Sequence, residues 1–167
     1  WRSSPDRRRE CDTLSQQAVD LARQIGDPGT LSYALAGRYW ATWWPENPGD
    51  RLALAEEMVA LADSAGDVER VIDAHLMRYM AFTEIPRMSE AERAEEEVRR
   101  LADDLRQPTQ LWLGVAPRAL MALLRGNYAL AEELIERELK WTNTITLVRD
   151  EVSSARMHLY LLRREQG

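Results

Sequence analysis

At 167 residues the chain is one domain's worth of polypeptide, long enough to bury a continuous core. Its net charge of −6 argues against a dedicated nucleic-acid binder, which would carry a basic face. No apolar run approaches the ~18 residues of a membrane-spanning helix, and Cys11, the only cysteine, cannot form a disulfide within the chain, which fits a reducing cytoplasm.

Ala, Leu, Glu and Arg dominate, and helical periodicity runs nearly throughout. A first helix is predicted over about Asp6 to Ile25, with Leu14, Ala18, Leu21, Ala22 and Ile25 as its apolar stripe. Gly26 ends it as a C-cap, and Pro28 suits the opening of the next helix, where its missing N–H costs nothing. The second helix, about Thr30 to Trp44, is broken by Pro45 and Pro48. Asp50 is positioned to cap a third helix carrying Leu52, Leu54, Ala55, Met58, Val59 and Ala62. A fourth helix holds Val71, Ala74, Leu76, Met77 and Met80 and ends near Pro86.

Ser89 with Glu92 has the spacing of a capping box at the start of the fifth helix. Pro108 leads into the sixth, where Pro117 should remove a helical hydrogen bond and bend the helix, shaping either a groove or the curvature of the array. Gly126-Asn127-Tyr128 makes a tight turn into a seventh helix with Ala131, Leu134, Ile135 and Leu139 on one face. The last helix, from about Leu147 to Glu165, reads Val148, Val152, Ala155, Leu159 and Leu162. No strand signal competes.

These helices repeat. Leu21-Ala22, Leu61-Ala62 and Leu101-Ala102 are separated by 61 − 21 = 101 − 61 = 40 residues. Leu31, Val71 and Leu111 keep the same interval, as do Ala34, Ala74 and Gly114, and Arg38, Arg78 and Arg118; Tyr39 recurs as Tyr79. The turn returns as Gly26-Asp27-Pro28, Gly66-Asp67 and Arg106-Gln107-Pro108. A period between ~20 and ~50 residues is the mark of units that bury an apolar face only by stacking on neighbours. The predicted fold is all-α: an α–α solenoid of about four helix pairs, the last incomplete, over residues 1–167. The start at Trp1 and the unpaired last helix suggest a fragment of a larger multidomain protein.

The stretch from Ala119 to Ile135, with Gly126 and Tyr128 at the turn and Ala131 early in the following helix, resembles a tetratricopeptide repeat. The earlier units lack that turn, and their period exceeds the ~34 residues of the standard repeat. The segments Leu35-Ala36-Gly37-Arg38-Tyr39-Trp40, Arg51 to Met58, Asp73-Ala74-His75-Leu76 and Leu161 to Gly167 resemble the C-terminal helical region of large bacterial ATP-dependent regulators. Among these are LuxR-type and antibiotic-pathway activators and relatives carrying cyclase domains. The resemblance implies a right-handed superhelical sensor or scaffold region of a cytoplasmic signal-transduction protein, with the ATPase and output domains elsewhere.

Catalysis finds little footing in these residues. His75 and His158 have no His or Cys at metal-binding helical spacing. Neither a phosphate-binding glycine loop nor a dinucleotide fingerprint occurs. Glu56-Glu57 and Glu132-Glu133 are adjacent, so their carboxylates point about 100° apart rather than facing each other. The residues therefore indicate no cofactor, no metal and no enzyme.

The binding candidates are Arg38, Arg78 and Arg118, whose recurrence would lay a stripe of guanidinium forks along the array for an acidic segment or anionic effector. The alternative is that each pairs with a nearby carboxylate or lays its stem across a helix crossing. Tyr39, Tyr79, Trp43 and Trp44 are the aromatic candidates, and Trp40, which recurs as Met80 and Leu120, reads as core. Trp43 and Trp44 precede the proline-rich loop and would either anchor a partner or plug the end of a helix pair. The functional expectation is a non-catalytic scaffold that binds a protein segment or small effector and touches other domains of its parent, without direct contact to nucleic acid or membrane. The alternatives are a self-associating homo-oligomer or a small-molecule pocket around Trp43 and Trp44.

Overall fold

The computed structural model describes the backbone of residues 5–144 and 149–167 and the side chains of 5–140 and 154–167. Eight helices account for almost all of it: α1 (Pro5–Ile25), α2 (Pro28–Ala41), α3 (Pro48–Ala65), α4 (Val68–Glu84), α5 (Met88–Leu105), α6 (Pro108–Leu124), α7 (Tyr128–Thr144) and α8 (Arg149–Gln166). No strand occurs among the described residues. The chain forms two compact units, residues 1–94 and 95–167, with the boundary inside α5. The expected apolar positions Leu147, Val148 and the side chain of Val152 lie outside the described residues.

In the first unit α1 packs on α2, α2 on α3 and α3 on α4, and α2 also meets α4 directly. Val19, Leu35, Tyr39, Ala55, Met58, Ala74 and Met77 form the shared core. Full burial of side chains the size of Leu35 and Met58 contributes roughly 1.5–3 kcal/mol each. In the second unit α6 packs on α7 and α7 on α8, and α8 also reaches α6. Their core is Val115, Ala119, Ala122, Ala131, Leu134, Ile135 and Leu162.

The repeated turn residues hold repeated structural roles. Gly26 at φ 76° and Gly66 at φ 66° end α1 and α3 in the left-handed region, where a side chain is disfavoured. Arg106 ends α5 at φ 55°, standing where the earlier repeats have glycine. The amides of Gly26, Gly66 and Arg106 donate to the carbonyls of Ala22, Ala62 and Ala102, and all three alanines are buried. The N-cap also recurs: Asp27 accepts from the Thr30 amide at 2.7 Å and Asp67 from the Arg70 amide at 3.1 Å.

Several local expectations need correction. On α1 only Val19 and Ala22 are fully buried, while Leu14, Ala18, Leu21 and Ile25 face solvent. α2 ends at Ala41 rather than Trp44, with Thr42 as its C-cap, whose amide and hydroxyl both bond to the Arg38 carbonyl. α3 opens at Pro48 after Asn47, which leaves Asp50 in the first turn instead of at the cap. Proline at N1 is preorganised for helix and starts it three residues earlier. α5 starts at Met88, so Ser89 is already helical, and Arg87 pairs with Glu90 where a Ser89–Glu92 box was expected. α6 runs unbroken through Pro117.

Candidate functional site

On α2, Tyr33, Gly37 and Trp40 are spaced by four and three residues and therefore share one helix face. That face is solvent-accessible: Tyr33 is 66% exposed and Trp40 39%. Trp40 is thus a surface residue, contrary to the core role its repeat position suggested. With Arg70, Asp73, Leu76 and Met77 of α4 these residues line a cavity of about 300 Å³. Gly37 forms part of its wall, and a Cβ built there meets nothing within 4 Å. The missing side chain leaves open space between Tyr33 and Trp40.

The chemistry of this cavity is mixed. The Arg70 guanidinium lies 4.9 Å from the Tyr33 ring centroid and 3.4 Å from an oxygen of Asp73. Burial pushes the Asp73 carboxyl above its ordinary range, with Arg70 opposing and Glu69 and Asp67 reinforcing. Aromatic walls, one cation and a carboxylate short of stabilisation suit a ligand that brings apolar surface and a hydrogen-bond donor.

Tyr39 and Tyr79 do not reach this surface, since both are buried. The Tyr39 hydroxyl donates to the Met77 carbonyl at 2.9 Å, joining α2 to α4 beneath the cavity. Arg51 of α3 lies under the same ring, its side chain 0% exposed. It forms a bidentate pair with Glu84 and sits 5.3 Å from the Tyr39 centroid and 5.3 Å from that of Trp43. Burial raises the Tyr39 phenol to about 12, the neighbouring Arg51 pulling the other way. Trp43 therefore lies over a buried arginine and against Trp40, 5.0 Å between centroids, while Trp44 takes the Arg8 guanidinium at 4.6 Å. The two tryptophans meet different arginines.

Trp44 instead lines a larger, more open cavity of about 570 Å³ with Arg8, Asp12 and Arg38. Arg38 is occupied there: it donates to the Asp12 carbonyl at 3.0 Å, the Asp12 carboxylate at 3.0 Å and the Ser15 hydroxyl at 3.1 Å. Arg78 meets the His75 ring nitrogen at 3.4 Å and lies 5.7 Å from the Phe82 ring. Arg118 lines a separate cavity of the second unit with Arg99 and Arg137. The three repeated arginines thus have three different environments.

In the second unit the buried Glu138 accepts from the Ser154 hydroxyl at 3.0 Å and lies 2.9 Å from His158 Nδ1. The carboxylate stands between serine and imidazole, whereas an activated serine needs the imidazole beside its own hydroxyl. Among the described residues no cluster of three metal-ligating side chains occurs, and no helix is long and apolar enough to cross a membrane.

Sequence reasoning missed Tyr33, Trp40, Arg70 and Asp73 as one site. The available signal was two aromatics flanking a glycine at helical spacing, Tyr33-x-x-x-Gly37-x-x-Trp40. Compared with family models, with curated proteins and with solved structures, the chain matches none.

Proposed function

We propose that the chain is a non-catalytic interaction scaffold whose tetratricopeptide-like helix pairs offer the α2–α4 groove to a short protein segment. The observation that carries this reading is the exposed Tyr33–Gly37–Trp40 face opposite Arg70 and Asp73. Rigid aromatics beside an unfilled glycine gap supply contact area at low entropic cost, and the charged pair fixes orientation. An aliphatic or aromatic side chain of the segment fills the space over Gly37, while a donor from its backbone or a basic side chain meets Asp73. The resemblance to bacterial ATP-dependent regulators supports a setting in which occupancy of the groove shifts the population of output-competent arrangements of the parent protein.

Panning a random peptide display library on the wild type and on Gly37→Leu tests this. Leucine at 37 projects into space where a Cβ meets no neighbour, so the fold persists while the groove fills. Peptides enriched on the wild type should lose binding to Gly37→Leu by at least tenfold. Peptides that bind both proteins equally would remove the groove from the account.

A second reading, self-association, is favoured by one specific observation. Leu14, Ala18, Leu21 and Ile25 form a solvent-facing apolar stripe on α1. Sedimentation velocity should then show a concentration-dependent mass that Leu21→Glu abolishes; a monomer at all concentrations would discard this reading.

A further inference from the structure

The second unit holds a cavity that the groove on the first does not explain. α5 contributes Arg99 and Asp103, α6 contributes Leu111, Gly114, Val115 and Arg118, and α7 contributes Arg137. Three guanidinium groups against one carboxylate make its lining cationic in a chain whose net charge is −6. Glu96 and Asp103 on Arg99, and Glu95 close to Arg118, offset part of that charge, and Arg137 adds a cation without an ion pair among the described residues.

The three arginines are committed to different degrees. Arg99 is held by Glu96 and, at 2.9 Å, by Asp103, which fixes its plane and leaves two of its five N–H groups free of those partners. Arg118 is close enough to Glu95 and Glu96 for its charge to favour their ionised forms. Arg137 is exposed and joins no ion pair among the described residues. Gly114 brings the walls together: a Cβ there would lie 3.4 Å from the Ala102 Cβ and 3.4 Å from the Arg99 Cα. Glycine inside a helix costs about 1 kcal/mol relative to alanine. It sits where α5 and α6 meet, on the lining that Arg99 and Arg118 share.

The volume is about 270 Å³, below the roughly 300–1,000 Å³ of pockets that enclose drug-sized molecules. A single tetrahedral anion fits within it. Guanidinium forks pair bidentately with phosphate oxygens and meet them from several directions, which matches arginines arriving from three helices.

We propose that Arg99, Arg118 and Arg137 form a binding site for a small phosphate-bearing anion, either inorganic phosphate or the phosphoryl end of a small phosphorylated metabolite. Arg137 is the mobile arm that closes on the anion, Arg118 supplies the inner contact, and Asp103 holds Arg99 in register. The site is independent of the α2–α4 groove and stands or falls apart from it.

Isothermal titration calorimetry with inorganic phosphate and with glycerol 3-phosphate, against sodium chloride at matched ionic strength, tests the assignment on the wild type, Arg137→Ala, Arg118→Gln and Arg100→Ala. Arg100 is an exposed arginine of the same helix as Arg99, outside the cavity. The expected result is saturable binding that weakens about tenfold or more in Arg137→Ala and Arg118→Gln and is unchanged in Arg100→Ala. Equal affinity for both probes assigns the free ion; tenfold tighter binding of the ester assigns the metabolite. Absence of saturable heat, reproduction of the signal by chloride, or equal weakening by Arg100→Ala would overturn the site. Circular dichroism of Arg137→Ala separates lost binding from lost fold, since that exposed side chain supports no core contact.

Discussion

Arg106 ends α5 at φ 55°, in the position that Gly26 and Gly66 occupy at the ends of α1 and α3. A side chain in this region costs about 1–2 kcal/mol through contact of Cβ with the following carbonyl oxygen. Glycine returns part of that gain, about 0.5–1 kcal/mol, because its unfolded chain is freer. Arg106→Gly should therefore stabilise by about 0.5–1 kcal/mol. Nothing is lost from packing, since Arg106 is exposed, and the cap bond from its amide to the Ala102 carbonyl at 2.9 Å is a backbone contact. For a chain of this length the gain corresponds to an increase in Tm of about 1–4 °C, measured by circular dichroism. Arg106→Ala is the control: it removes the charge and keeps the Cβ, so it should leave Tm nearly unchanged. A gain in Arg106→Ala equal to that in Arg106→Gly would mean that charge, rather than backbone conformation, is at issue. No gain in either variant would refute the strain argument.

Glu84→Ala should cost about 3–5 kcal/mol in urea unfolding, because it strands the Arg51 guanidinium, whose side chain is 0% exposed. The double replacement Arg51→Met with Glu84→Leu should recover most of that loss, as buried pairs often yield to apolar isosteres. Tyr39 predicts an alkaline limb. Its phenol is raised to about 12 from 10.0, so its contribution is fully present below pH 10 and is lost as pH rises toward 12, a loss on the order of a few kcal/mol. Tyr39→Phe should flatten that limb in a pH series of urea midpoints. Asp73 carries the same sign: its folded carboxyl is raised, so its favourable contribution is present in acid and lost as pH rises through the folded value. Asp73→Asn should accordingly be more stable than the wild type at pH 7, and the two proteins should converge in acid.

The order of the helices and the glycine and aspartate turns were largely legible because capping chemistry and spacing are local properties, while the ends of α2, α3 and α5 differ from expectation. Gly26, Gly66, Asp27 and Asp67 stand in the structure where their residue types place them. The faces were less legible. Periodicity finds an apolar stripe on α1, but Val19 and Ala22 make the seam with the rest of the unit, so Leu14, Ala18, Leu21 and Ile25 are left outside. Which face of a helix is covered depends on the neighbour that packs there, and no property of the helix itself encodes that. Tyr39 and Tyr79 are both buried, and repetition alone cannot separate a core role from a binding role. Arg51 gives no local sign of its burial, because its partners Glu84, Tyr39 and Trp43 come from two other parts of the chain. The candidate groove was missed for a related reason: its aromatic half is on α2 and its charged half on α4, and only the helix packing joins them.

The most direct test of the account is an NMR titration of the isotopically labelled chain with a peptide enriched by display on the wild type. The scaffold account predicts shift changes concentrated at Tyr33, Gly37 and Trp40 on α2 and at Arg70, Asp73 and Met77 on α4, and none with Gly37→Leu. Changes centred on the α1 stripe at Leu14 and Leu21, with the α2–α4 groove silent, would contradict it.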